Sequence, residues 1–407
     1  MSERRIAPTI SPAFSRSSDR MAARPQNQLE PRPWVESTAR RIADPVRRLR
    51  FLQAVAPPST ECETSRKSYK RLLPLIVLVL AVAACLQLAL LARGVPHASG
   101  VAPRPQTAKA RVDRVPQIWQ VDKLEHSDTY SNGLRIENRH AVANRPRSYL
   151  AFSTARPEDT RGERRTNPVG IVFHTTESLQ APFEPDHNAV LKRVGESLLD
   201  YVRRKRAYNF LIDRFGRVYR IVVESDAADH AGHSVWSDEE WSYVNLNDSF
   251  LGVSFETQTL PGQMVAALNP AQVRSAVMLT EMLRSRYGIA AGNCITHAQV
   301  SVNPSNMRVG YHTDWASSFP FEQLGLPDNY ARPLPAIAVF GFEYDSNFVN
   351  RTGMRMYEGV QLAEQALREH AAAAHLKLPA YLKTLQRKYL RQAAAAGRPD
   401  GEPDESE

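Results

Sequence analysis

The sequence predicts an α/β domain: a mixed central β-sheet flanked by helices, with one N-terminal transmembrane helix before it and a mainly helical extension after it. Three observations lead there. From Val169 onward, short apolar runs of strand length alternate with stretches of helical period. Residues 72–92, LLPLIVLVLAVAACLQLALLA, carry no charge. After Pro335 the chain turns to Ala, Leu, Glu and Arg at helical spacing. The 407 residues suggest two or three units of ordinary domain size, and 43% apolar content is enough for a sizeable core.

Residues 1–71 are rich in Arg, Pro and Ser and read as a basic, disordered cytoplasmic tail. They hold 15 Lys and Arg against 7 Asp and Glu, so most of the net charge of +9 sits there. The other 336 residues hold 37 basic and 36 acidic side chains. That balance leaves no basic excess to neutralise phosphates, and no nucleic-acid partner is expected. Cys62, Cys85 and Cys294 lie far apart without CxxC spacing, which excludes a disulfide framework and an all-cysteine zinc site.

As a helix, residues 72–92 would span about 31 Å, the thickness of a hydrocarbon core. Lys70 and Arg71 abut the start of this run. The positive-inside rule then leaves residues 1–71 in the cytoplasm and places everything after Arg93 outside. A cleaved signal peptide is the alternative, but 71 residues are far too many for its basic leader. Val82-Ala83-Ala84-Cys85 imitates a lipoprotein cleavage box, yet the apolar run continues for seven residues beyond Cys85.

Residues 93–165 read as a stalk and the approach to the folded domain, with strand character at 117–122 and 133–137. Residues 166–335 read as the main folded domain, of mixed α/β type. Strands are expected at 169–174, 208–213, 217–223 and 250–257. The second and third are joined by a turn at Arg214-Phe215-Gly216, where Gly tolerates positive φ. Residues 189–204 place Val190, Val194, Leu198, Leu199 and Val202 on one helix face. Asn269-Pro270-Ala271-Gln272 is a helix start, with Asn as cap, Pro in the first turn and Gln three residues on; Gly288 is its stop. Residues 294–300 return to the sheet edge. In the extension, 336–396, a strand is expected over 336–344. Helices are expected over 354–378 and 380–396, with Pro379 breaking them apart. Residues 397–407 form an acidic, disordered tail.

The chemistry gathers on His174, His297 and Asp314, at strand ends or in loops. Catalytic zinc typically takes three N, O or S ligands and leaves a fourth position for water. Two imidazoles and a carboxylate leave enough Lewis acidity to lower that water's pKa and to polarise a carbonyl. The separations, 123 and then 17 residues, are too loose to form a motif by spacing alone. His312 is the alternative third ligand. Cys294 precedes His297 by three residues, but a core thiol is favoured there over a nucleophile.

IVFHTTES, RAYNFLIDRFGRVYRIV, DHAGHSVW, SFLGVSFET, ITHAQV and HTDWASSFPF follow one another along residues 166–327. In this order they resemble the zinc-dependent N-acetylmuramoyl-L-alanine amidases, which include the amidase-type phage lysozymes and the peptidoglycan recognition proteins. The resemblance implies that fold, Zn2+ held by His174, His297 and Asp314, and a peptidoglycan or muropeptide substrate. It implies catalytic roles for Tyr208 and His312, and substrate contacts from Thr175 and His230. Two departures stand out. Asp314 is followed by Trp315-Ala316 where the family usually has Pro-Gly. Ser254 stands where some members carry a catalytic Glu, and Glu256, two residues on and on the same strand face, is either a displaced base or a structural carboxylate. The expectation is a single-pass amidase of a bacterial cytoplasmic membrane, its catalytic domain outside, acting on the bond between N-acetylmuramic acid and L-alanine. The alternative is a non-catalytic peptidoglycan-binding module of the same fold.

Overall fold

A computed structural model describes residues 115–156, 158, 161–259 and 268–397. The expected tail 1–71, the apolar segment 72–92 and residues 398–407 lie outside the described residues. Among the described residues, no helix is long and apolar enough to cross a membrane.

The centre is an eight-stranded mixed sheet in the order β1-β2-β3-β8-β7-β11-β6-β12. Its strands are β1 (Gln120–Lys123), β2 (Ser127–Tyr130), β3 (Arg135–Glu137), β6 (Gly170–Thr175), β7 (Phe210–Ile212), β8 (Val218–Arg220), β11 (Phe250–Phe255) and β12 (Cys294–Thr296). β6 runs parallel to both its neighbours, β11 and β12, and β11 is also parallel to β7. Every residue of β6 and of β11 is buried. A strand covered on both faces needs apolar residues throughout, which is why GIVF is a continuous run rather than an alternation.

Helices supply the two covers. α1 (Asn188–Lys205) buries Leu198, Leu199 and Val202 with Leu211, Tyr219, Ile221 and Val222. α2 (Pro270–Tyr287) places Ala276, Leu279, Met282 and Leu283 with Phe173, Phe210, Ile212 and Phe255. Its start is a full capping box, with Asn269 accepting from Ala271 and Gln272 and with Pro in the first turn. Its end is Gly288, at φ +66°.

A second, antiparallel sheet was not foreseen. It joins β5 (Glu163–Arg165), β4 (Tyr149–Ser153), β10 (Trp241–Val244) and β9 (Val235–Ser237). Its Tyr149, Trp236 and Tyr243 pack with Val172, Phe250 and Ile295 beside the central strands. A short ribbon, β13 (Val302–Asn303) with β14 (Arg308–Val309), follows β12. Strands β1–β5 all fall within residues 93–165, so the sheet begins inside the stretch read as a stalk.

The extension differs from expectation in two places. Residues 336–344 do not form a strand. Pro335 opens a one-turn helix, Pro335–Ala338, and Gly341 at φ +73° turns the chain against the last helix, where a Cβ would meet Leu382 O at 3.1 Å. The closing helices are α3 (Ser346–Ala373) and α4 (Leu378–Ala396). Pro379 does not break them apart. It lies in the first turn of α4, where a missing N–H costs nothing, and the chain reverses earlier, at His375 with φ +55°. Phe340, Phe342, Val360, Leu385 and Tyr389 share one buried core with Phe173 and Phe255.

Candidate metal centre

The site forms at the carboxyl ends of parallel strands, the usual place for ligands in such sheets. In register, His174 faces Ser254 of β11, and Phe173 faces Thr296 of β12. β12 therefore stops one pair short, and His297 emerges beside His174. Thr296 caps a one-turn helix, His297–Val300, and its amide donates to Gln299 Oε1 at 2.9 Å. That cap fixes the direction in which the His297 backbone leaves the strand. Asp314 arrives from the loop after β14. Its carbonyl accepts from Ala298 N at 3.2 Å, and its Oδ2 accepts from Thr175 N at 3.4 Å. Trp315 then takes the chain through a left-handed residue, φ +56°, and buries its indole beside Phe255 and Phe319.

The three side chains converge. His174 Nδ1 lies 3.3 Å from Asp314 Oδ2, and His297 Nδ1 lies 2.8 Å from Asp314 Oδ1. One potential ligand atom from each residue falls within 4.8 Å of the others. His174 is 1% exposed and Asp314 11%. Burial pushes the His174 imidazolium down to about 4, reinforced by His297 and only partly opposed by Asp314. At neutral pH this imidazole therefore keeps a lone pair. For Asp314, burial alone would raise the carboxyl, but His297, whose Nδ1 lies 2.8 Å away, holds it far below the usual carboxylate range. His297 turns one nitrogen to the carboxylate, while its Nε2 is buried without a hydrogen-bond partner among the described residues. A neutral imidazole and an ionised carboxylate facing each other suit a shared cation, and two His with one Asp suit zinc.

The remaining expected residues surround this cluster. Tyr208 precedes β7 at φ +63°, an uncommon conformation for an aromatic residue, and its ring centroid lies 5.1 Å from that of His174. His312 stacks on His297 at 4.7 Å, and its amide donates to Ser301 Oγ at 2.9 Å. Burial, with His297 and His174 nearby, lowers His312 to about 4 against the pull of Asp314, so at neutral pH it is an N–H donor rather than a cation. His230 is buried behind His174, with its Nδ1 3.0 Å from His174 Nε2. Thr175 is buried beside Asp314, and its hydroxyl donates to Glu177.

Glu256 takes a different position. Its Oε2 accepts the Arg214 N–H of the β7–β8 turn at 3.1 Å, and burial raises its carboxyl. Among the described residues, no hydrogen bond links it to His174, His297 or Asp314. Ser254, in register with His174, is fully buried, and its hydroxyl has no hydrogen-bond partner among the described residues. Cys294 is a fully buried core residue, with its Sγ 3.8 Å from Ala290 O.

Four supporting residues escaped the sequence reading: Arg147, Asn247, Ser301 and Thr259. Asn247 Oδ1 accepts from both His230 N and Ala231 N, and Thr259 Oγ1 accepts from Trp315 N at 3.1 Å. Each acts through contacts between residues remote in sequence, and no local pattern marks them.

No curated protein sequence matches this chain. Solved structures do. AmiD, the N-acetylmuramyl-L-alanine amidase of E. coli, is 19% identical over 57% of this chain and 91% of its own, with a TM-score of 0.33. LysC, an N-acetylmuramoyl-L-alanine amidase from Clostridium intestinale URNW, is 19% identical over 45% of this chain and 93% of its own, with a TM-score of 0.25. The family model described as N-acetylmuramoyl-L-alanine amidase matches residues 164–314, a span that opens within β5 and closes on Asp314. Through that span, which contains the whole His–His–Asp cluster, the chain is similar to the N-acetylmuramoyl-L-alanine amidase family.

Proposed function

We propose that this protein is a membrane-anchored, zinc-dependent peptidoglycan amidase. It cleaves the amide between the lactyl group of N-acetylmuramic acid and the L-alanine of the stem peptide. The observation that carries this reading is the convergence of His174, His297 and Asp314 within the amidase-family span. These three residues would hold the ion, and zinc bound there supplies Lewis-acid polarisation of a carbonyl and a lowered pKa for water.

The chain's own side chains account for the rest. Hydrolysis breaks the C–N bond, adds the oxygen of water to the lactyl carbonyl carbon, and delivers a proton to the alanine nitrogen. Tyr208 and His312 flank the cluster with an O–H and a ring N–H, so they stabilise developing charge on the carbonyl oxygen and pass protons. Glu256 already accepts the Arg214 amide and is assigned to holding the β7–β8 turn. The uncharged run 72–92 supports a single-pass anchor with the catalytic domain facing the cell wall.

The test is digestion of purified sacculi by the full-length protein, with mass spectrometry of the products and zinc measured on the same sample. Release of free stem peptides beginning with L-alanine, abolished in His174→Ala, is the expected result. Sacculi that bind the protein yet keep their peptides would make it a binding module instead.

A further inference from the structure

We infer that His230 is a positioning residue that fixes the tautomer and ring orientation of His174, so that His174 offers Nδ1 to the metal. The metal part rests on the function proposed above; the tautomer part does not. His230 is held on every side. Its Nε2 lies 3.3 Å from Phe250 O, and its Nδ1 lies 3.0 Å from His174 Nε2. Its own amide and that of Ala231 both donate to Asn247 Oδ1. The ring packs on Gly252, where a Cβ would come within 2.6 Å of His230 Cγ.

The direction of each hydrogen bond follows from chemistry. A carbonyl oxygen only accepts, so His230 carries its proton on Nε2. Phe250 O also accepts from Arg147 Nη1 at 2.9 Å, and Arg147 is itself buried. A second cation sharing that oxygen is disfavoured, so His230 is neutral and its Nδ1 is an acceptor. His174 must then donate from Nε2, which leaves the lone pair on Nδ1, the atom that faces Asp314. The chain Arg147–Phe250 O–His230–His174 therefore sets which nitrogen reaches the ion. A ligating histidine commonly donates its other N–H to such a partner, usually a carboxylate, carbonyl or water; here the partner is a second imidazole.

Two measurements on the full-length protein test this. In the metal-free wild type, nitrogen-15 NMR of the imidazoles should show His174 protonated on Nε2 and His230 protonated on Nε2. A His174 protonated on Nδ1 overturns the inference. Zinc affinity, by chelator competition, should fall roughly 10–100-fold in His230→Phe. It should recover most of that in His230→Asn, whose Oδ1 restores an acceptor. Wild-type affinity in a folded His230→Phe overturns the inference; should that variant not fold, the NMR result on the wild type decides. A wild type that takes up no zinc would sink the proposed function, while the tautomer result would still settle the role of His230.

Discussion

Asp314 reaches His297 with one carboxylate oxygen, at 2.8 Å from Nδ1, while its other oxygen stands 3.3 Å from His174. A single acid thus joins two imidazoles, one at the end of β6 and one just past the end of β12. Asp314→Ala should weaken zinc binding by more than the roughly 10–100-fold typical of an outer partner, because it deletes a donor atom. Chelator competition measures this, and an affinity within a few-fold of wild type would transfer the third ligand to His312.

Stability of the metal-free protein should fall on acidification, in two windows. His174 and His312 are held near 4 by burial, below their ordinary 6.5, so the unfolded chain binds protons that the folded one refuses. Folding therefore weakens as pH drops from about 6.5 to 4, by up to about 3 kcal/mol for His174. Asp314, depressed in the fold, adds its loss only below the ordinary carboxylate range. Urea midpoints across pH 7 to 4 check the sign. Zinc should shift them upward most at pH 7, since protons compete for the same lone pairs.

Tyr208→Phe should lower kcat by roughly 10²–10⁴-fold while zinc affinity stays unchanged, as expected of an O–H that acts on substrate rather than on the ion. Glu256→Gln should keep kcat within a few-fold, because Gln can still accept the Arg214 N–H, and should cost no more than about 1 kcal/mol. The reverse ranking would move the proton work to Glu256.

Gly170 opens the central strand where there is no room for a methyl group. A Cβ would lie 2.0 Å from Phe250 Cε1 and 2.6 Å from Asn293 O. Gly170→Ala should destabilise by about 1–3 kcal/mol or more, read as a fall in urea midpoint at constant slope.

Much of this was legible in the sequence because it is written locally. The GIVF run, the Asn269 cap, Gly216 and Gly288 each state their conformation within a few residues, and each appears where expected. The convergence of His174, His297 and Asp314 was legible only through the ordered set of motifs, since separations of 123 and 17 residues carry no period. The second sheet stayed hidden because β5 and β9 are three residues long, and the pairs β4–β5 and β9–β10 join only through β10 and β4, which are remote in sequence. The helix break was misplaced because Pro suits a first turn as well as it ends a helix, and only the chain reversal at His375 decides between them. His230 could be noticed in sequence, but its partners could not, because β6, β11 and the loop before β9 meet only in the fold.

The shared core of the extension and the sheet has a genetic reading. Phe340, Phe342, Leu385 and Tyr389 complete the same apolar interior that holds Phe173, one residue before His174. A nonsense codon shortly after Pro335 would spare every side chain assigned to chemistry and still behave as a null allele, because the strand that carries the first histidine would lose part of its floor.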